Sequence, residues 1–160
     1  MALNYGSVQS ITITAGGLTS NAARSSQAVT TGTTNNIVDA LLQVNVLTTA
    51  TGPSGNKQVV IYGYGSNDGT DYGGNSGIVD DVDGTDKALT AIGSPSNLRF
   101  LGTVQLNQGA SAQTIKSQPI PIAAAFGGVL PKKWGIVLHN DAGTTLGATV
   151  TAEYTEIYYN

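Results

Sequence analysis

The stretch from residue 36 to residue 48 constrains the fold most. Val38, Ala40, Leu42, Val44 and Val46 are apolar there, and Asp39, Gln43 and Asn45 fall between them. A period of two across five apolar positions marks a strand with one face in a core. A helix is the competing reading, capped by Asn35 or Asn36 and carrying Ile37, Leu41 and Val44 at helical spacing. The length of the alternation and its β-branched finish favour the strand.

The same rhythm recurs along the chain. In residues 57–65, Val59 and Ile61 oppose Val60, Tyr62 and Tyr64, so both faces are covered, as in a strand near the middle of a sheet. The turn Thr51-Gly-Pro-Ser-Gly-Asn56 joins this segment to the preceding one, and the pair reads as a hairpin with a longer loop. Residues 8–14 put Ile11 and Ile13 on one side before Gly16-Gly17 breaks the run. Residues 24–31 read as a polar edge strand with Ala28 inward. Residues 98–106 place Leu98, Phe100, Val104 and Leu106 on one face, and residues 134–139 read as a buried strand. Within residues 112–122, Pro119 and Pro121 mark an edge or a bend. The run Ala123-Ala-Ala-Phe126 reads as one helical turn before Gly127-Gly128.

The last strand, residues 148–159, changes phase. Ala148, Val150, Ala152 and Tyr154 share a face, but Ile157 and Tyr159 fall on the other. Either a bulge lies near Thr155-Glu156, or the C-terminus leaves the sheet. The count is eight or nine strands with no long helix. That is an all-β chain of two packed antiparallel sheets, a jelly-roll-like sandwich forming one domain over residues 1–160. Residues 1–7 read as an N-terminal arm. Residues 66–97 read as a long acidic, Gly- and Asp-rich excursion, with one short strand near residues 88–92.

What the chain lacks narrows its chemistry. It has no cysteine, one histidine (His139), one tryptophan (Trp134) and 11% charged residues. Disulfides and thiolate metal sites are excluded, and a chain of 16.3 kDa buries enough surface to fold without them. No secretory signal is visible in residues 1–10, and no apolar run nears the roughly 20 residues that cross a bilayer. The expectation is a soluble product made in the cytoplasm, with no membrane partner. The net charge of −3 and seven scattered basic residues argue against nucleic acid, which selects a basic patch.

Candidate chemical groups are few. Asp68, Asp71, Asp80, Asp81, Asp83 and Asp86 make an acidic cluster within the excursion, but Asp81-Val-Asp-Gly84 lacks the closing glutamate of a calcium loop. A solvated, self-repelling loop is the expectation. His139 stands beside Asn140-Asp141 at a strand end without a nucleophile elbow, so it reads as a surface or turn residue. Glu153 and Glu156, the only glutamates, fall on opposite strand faces unless a bulge intervenes, which does not make a glycosidase pair. Tyr62, Tyr64 and Tyr72, and Tyr154, Tyr158 and Tyr159, read as packing residues, with a sugar or protein platform as the alternative. No catalytic, cofactor-binding or metal residue is assigned, and no enzyme activity is expected.

Several stretches carry a resemblance. They are Arg24-Ser-Ser-Gln-Ala-Val29, Asn36-Ile-Val-Asp-Ala-Leu-Leu-Gln-Val44, Ser94-Pro-Ser-Asn-Leu-Arg-Phe-Leu-Gly102, Lys116-Ser-Gln-Pro-Ile120, Ala123-Ala-Ala-Phe-Gly-Gly-Val-Leu-Pro131 and Lys133-Trp-Gly-Ile-Val137. Together they resemble the jelly-roll cement or decoration proteins of tailed-bacteriophage capsids. The resemblance implies a structural virion protein on the capsid exterior. It would stabilise the mature shell by bridging major capsid subunits of the HK97-like fold, and it would act as a homo-oligomer, dimer or trimer. The contacting parts expected from exposure and irregularity are residues 1–7, 66–97 and 157–160. The alternative is a receptor- or carbohydrate-binding domain of a phage tail or fibre.

Overall fold

A computed structural model describes residues 2–32, 36–73, 81–89, 92, 97–107 and 111–160. The strands in chain order are β1 (Leu3–Ile11), β2 (Ala23–Ser25), β3 (Val29–Thr30), β4 (Asn36–Leu47), β5 (Gln58–Ser66) and β6 (Lys87–Leu89). They continue with β7 (Arg99–Gln105), β8 (Thr114–Lys116), β9 (Ile120–Pro121), β10 (Lys133–Asp141) and β11 (Val150–Tyr159). A 3-10 turn, Ala123–Phe126, lies before β10 and ends on Gly127 in the left-handed region. One sheet runs β1-β11-β4-β8 with β9 also on β4; the other runs β6-β2-β10-β5-β7 with β3 also on β10. Every pairing is antiparallel.

The all-β, two-sheet architecture is the one that the alternation calls for. Ala40, Leu42, Val44 and Val46 of β4 are fully buried, and with Ala152 and Tyr154 of β11 they meet Val59, Ile61, Trp134, Ile136 and Leu138 of the second sheet. Trp134 stands edge-on to Tyr154 at 5.2 Å between ring centres. The strand reading of residues 36–48 therefore holds against the helical one. β5 has both faces covered as expected, because Tyr62 and Tyr64 pack into a second cluster on the outside of their sheet.

The strands number eleven among the described residues, not eight or nine, because interruptions split longer runs. Ser26-Gln27-Ala28 separates β2 from β3, and Ser117-Gln118-Pro119 separates β8 from β9. β2 is also no edge, since it lies between β6 and β10. The expected hairpin of β4 and β5 does not form. β4 pairs with β11, β8 and β9, and β5 with β10 and β7, so the intervening turn crosses from one sheet to the other. Two apolar faces in succession look alike in sequence whether the strands pair or stack.

Phe100 also departs from its expected face. Ile61 faces Gly102 but Tyr62 faces Phe100, so Leu101 is an extra residue and the phase inverts. Phe100 is left 63% exposed, while Val104 is buried.

The described part of the excursion lies over the outside of the second sheet. Val82, Leu89 and Leu98 pack there with Ala23, Tyr64 and Val137. Gly135 makes room for this: a Cβ at that position would lie 2.6 Å from Tyr64 Cε1 and closer still to Cζ and Oη. The Tyr64 hydroxyl donates to the Ser26 carbonyl at 2.6 Å, and burial pushes its phenol well above the usual range.

Candidate interaction surface

Residues 3–7 are not a free arm. They form the first half of β1, whose partner is the C-terminal strand, with Leu3 opposite Tyr159, Tyr5 opposite Ile157 and Val8 opposite Thr155. Two of the three segments expected to make contacts are therefore one surface.

The phase change in β11 has its explanation here. β11 itself runs in continuous register with β4 from Val150 to Ile157, with no bulge near Thr155-Glu156, and it stays in the sheet to Tyr159. The irregularities belong to its neighbours: Val38 is the extra residue in β4, and Gly6 and Ser7 together oppose one residue in β1. With β11 alternating unbroken, Ile157 and Tyr159 share the face opposite that of Ala152 and Tyr154. That face looks away from the core. Apolar side chains have been placed outward.

Six large apolar side chains are exposed among the described residues: Leu3, Tyr5, Val8, Phe100, Val129 and Tyr159. Four of the six lie on β1 and β11, and the pairing register puts all four on the outer face. The half-buried Ile157 lies among them, and Leu41, opposite Thr155, extends the patch onto β4. Clustering of this kind is what separates a docking surface from the scattered apolar residues of any protein exterior. Farther along the same face the chemistry turns polar. Lys116 pairs with Glu153 at 2.8 Å, and Asn45 donates to the Thr151 hydroxyl at 3.2 Å. An apolar centre beside a polar margin is the usual build of a protein contact.

The described part of the third expected segment, residues 66–97, lies on the other sheet, and the carboxylates described there are not a self-repelling array. The Arg24 guanidinium meets Asp86 at 2.6 Å, and the Thr14 amide and hydroxyl donate to the same carboxylate. Lys87 bridges Asp81 at 3.1 Å and Asp83 at 2.8 Å. Partial burial works against the charge on Asp83, but Lys87 and the Thr85 hydroxyl and amide outweigh it and hold the carboxyl at about 2. Asp68 is held well below the usual range by the amides of Asp71 and Thr70 and the Ser66 hydroxyl. Each of these carboxylates fastens a turn. Asp80 lies outside the described residues.

A groove of about 450 Å³ opens between the excursion and the sheet, lined by Tyr64, Tyr72, Asn97, Arg99 and Phe126 among others. The tyrosines otherwise behave as packing residues. Tyr64 and Tyr72 meet edge-on at 5.6 Å, and Tyr154 is buried with its hydroxyl donating to Gln9 Oε1 at 3.0 Å. Tyr159 is exposed and belongs to the outer patch.

His139 lies near the end of β10 but is not a turn residue: it is half-buried inside the strand, with Val60 on one side and Ala23 on the other. The nearby Asp141 is engaged by Asn56 at 2.7 Å and Gln58 at 3.1 Å. Glu153 and Glu156 fall on opposite faces, because no bulge separates them in β11.

The residue least legible from sequence is Asn140, which is fully buried. Its amide donates to the carbonyls of Leu18 and Thr144, both at 2.8 Å, and its oxygen accepts from Ala142 N–H at 3.0 Å. It ties three segments together at the end of β10.

Comparisons with protein-family models, with curated proteins and with solved structures found no match for this chain.

Proposed function

We propose that this chain is a structural virion protein that binds the outside of a phage capsid and stabilises the mature shell by bridging major capsid subunits. The observation that carries the reading is the outward apolar patch of Leu3, Tyr5, Val8, Ile157 and Tyr159, a face suited to docking on another protein. The resemblance noted above supplies the partner class, a major capsid protein of the HK97-like fold, and the jelly-roll form of the sandwich. In this reading the protein is made in the host cytoplasm and ends on the capsid exterior, as a homo-oligomer whose modest contacts add through multivalency.

The test is co-sedimentation of the purified protein with expanded shells lacking it, alongside heat release of the packaged genome. The wild-type chain is expected to sediment with the shell and raise its release temperature. Tyr5→Lys with Tyr159→Lys is expected to lower binding by more than about tenfold, the equivalent of ~1.4 kcal/mol. A wild-type chain that stays in the supernatant at every concentration overturns the reading.

The groove beside Tyr72, Arg99 and Phe126 favours a second reading, a receptor- or carbohydrate-binding domain of a tail or fibre. A glycan-array signal lost in Phe126→Ala, with the chain located on the tail, would select it.

A further inference from the structure

β1 is the sheet edge of the β1-β11-β4-β8 sheet, and nothing pairs with its outer side among the described residues. Edge strands are ordinarily blunted by charge, proline or shortness. The other strands that end a sheet follow that rule: β6 carries Lys87, β7 carries Arg99, and β8 is three residues long and carries Lys116. β1 is nine residues long with no charge and no proline, and no charged residue occurs between Ala2 and Ala23. Its one blunting device is the bulge at Gly6-Ser7, which leaves the stretch before it unprotected.

The hydrogen-bond phase of this edge is set. Ala2 N–H donates to the Asn160 carbonyl at 3.1 Å, and Asn160 N–H returns the bond to Ala2 at 3.2 Å. Residues in an antiparallel pair alternate between facing the partner and facing away, so the N–H and C=O of Leu3 and Tyr5 point to the free side. The bulge at Gly6-Ser7 limits a regular pairing to the part of β1 before it.

We propose that two copies of this chain pair through β1, antiparallel about a two-fold axis at Asn4. That register sets Leu3 opposite Tyr5 of the second copy, and Tyr5 opposite its Leu3. Each of these two pairs exchanges two main-chain hydrogen bonds, and each brings an aliphatic against an aromatic side chain on the outer face. A second copy is the occupant that suits a neutral edge, because the contact is self-complementary and offers no charge to select a different partner. The two-fold stands perpendicular to the sheet, so both apolar patches face the same way and form one doubled surface. This consequence links the pairing to shell docking, but the pairing does not depend on it.

The size of the contact decides how to look for it. The stretch of β1 before the bulge, Ala2 to Gly6, is roughly 17 Å long and a sheet roughly 10 Å deep. The strips from two copies total roughly 350 Å², far below the ~1,200 Å² of stable complexes. The dimer is therefore short-lived in dilute solution and needs trapping.

The chain has no cysteine, so a single introduced thiol reports without background. Across the two-fold, Asn4 faces Asn4 of the second copy in a pair that is not hydrogen-bonded, with Cα atoms ~4.5 Å apart, inside the range that a disulfide spans. Asn4→Cys under mild oxidation is expected to form covalent dimer on non-reducing gels at least about tenfold faster than Val129→Cys or Ser10→Cys. Adding Tyr5→Lys to Asn4→Cys is expected to bring the rate down to that of the controls, with Trp134 fluorescence unchanged as the check on folding. Equal rates for the three cysteines overturn the proposal, as does faster trapping at Ser10. The assay uses the isolated protein, so it can fail or succeed independently of shell binding.

Discussion

Gly135→Ala tests the way the excursion is seated on the second sheet. The glycine lies in the middle of β10, with φ outside the left-handed region, so alanine meets no backbone strain there. Its added Cβ would instead run into the Tyr64 ring, 2.6 Å from Cε1. Restoring ordinary contact at about 3.5 Å with the still closer Cζ and Oη requires the ring to retreat by more than about 1 Å. That motion stretches the 2.6 Å bond from the Tyr64 hydroxyl to Ser26 beyond hydrogen-bonding range and leaves a buried carbonyl without a donor. Overpacking costs about 1–3 kcal/mol, and an orphaned buried acceptor another ~1–3 kcal/mol. Replacing a strand glycine returns roughly 0.5–1 kcal/mol. The net loss is roughly 1–5 kcal/mol, and at ~2–4 °C per kcal/mol for a chain of this length the melting temperature falls by roughly 2–20 °C. The assay is thermal unfolding followed by Trp134 fluorescence, run as a double-mutant cycle with Tyr64→Ala. Without the ring, Gly135→Ala is expected to be neutral or slightly stabilising. A melting temperature unchanged by Gly135→Ala alone, or the same loss in both backgrounds, would refute the steric account.

Asn140→Ala strips partners from two carbonyls and one amide at a fully buried site, and roughly 3 kcal/mol of stability is expected to go with them, read as a fall of ~6–12 °C in melting temperature. Asn140→Asp is expected to do no better, since a carboxylate cannot donate to Leu18 and Thr144. Stability is also expected to fall in acid. The folded carboxyls of Asp83, Asp86 and Asp141 titrate below the ordinary value of 3.8. Their contribution is thus complete above the unfolded value and lost as pH drops through the folded one, which is about 2 for Asp83. Melting temperature measured against pH is expected to be flat from neutrality to about pH 5 and to decline below about pH 4; equal values at pH 7 and about pH 2.5 would contradict this.

Alternation told which residues share a face, and it told this well. β4 reads correctly from Ala40 to Val46 because a strand buried on one side has no other way to be written, while Val38, the extra residue of the bulge, drops out of the core face. It could not tell which strand lies beside which, so β4 and β5 read as a hairpin although they stand in different sheets. Phe100 was misplaced because a single extra residue, Leu101, reverses everything on one side of it, and the adjacent Gly102, the one local sign of a bulge, reads equally well as an ordinary strand residue. The buried role of Asn140 was hidden because its three partners come from segments far apart in the chain or around a turn, and a turn residue reads the same whether or not it is enclosed.

The phase change at Ile157 is a different kind of case. Sequence reasoning assumes that an apolar residue in a strand faces the core, so an apolar pair out of phase is explained by bending the strand. The structure keeps β11 straight through that point and puts the bulges in β1 and β4 instead. Once the strand is unbent, Ile157 and Tyr159 face solvent together with Leu3, Tyr5 and Val8. Burying them inward would cost nothing in composition, and leaving them outward forgoes the hydrophobic gain of roughly 1.5–3 kcal/mol for each large side chain enclosed. Folding alone gives no reason to place them there. Apolar residues that break the rhythm of an otherwise regular strand are thus a signal of contact with another surface, and in this chain the signal comes from both ends of the sequence at once.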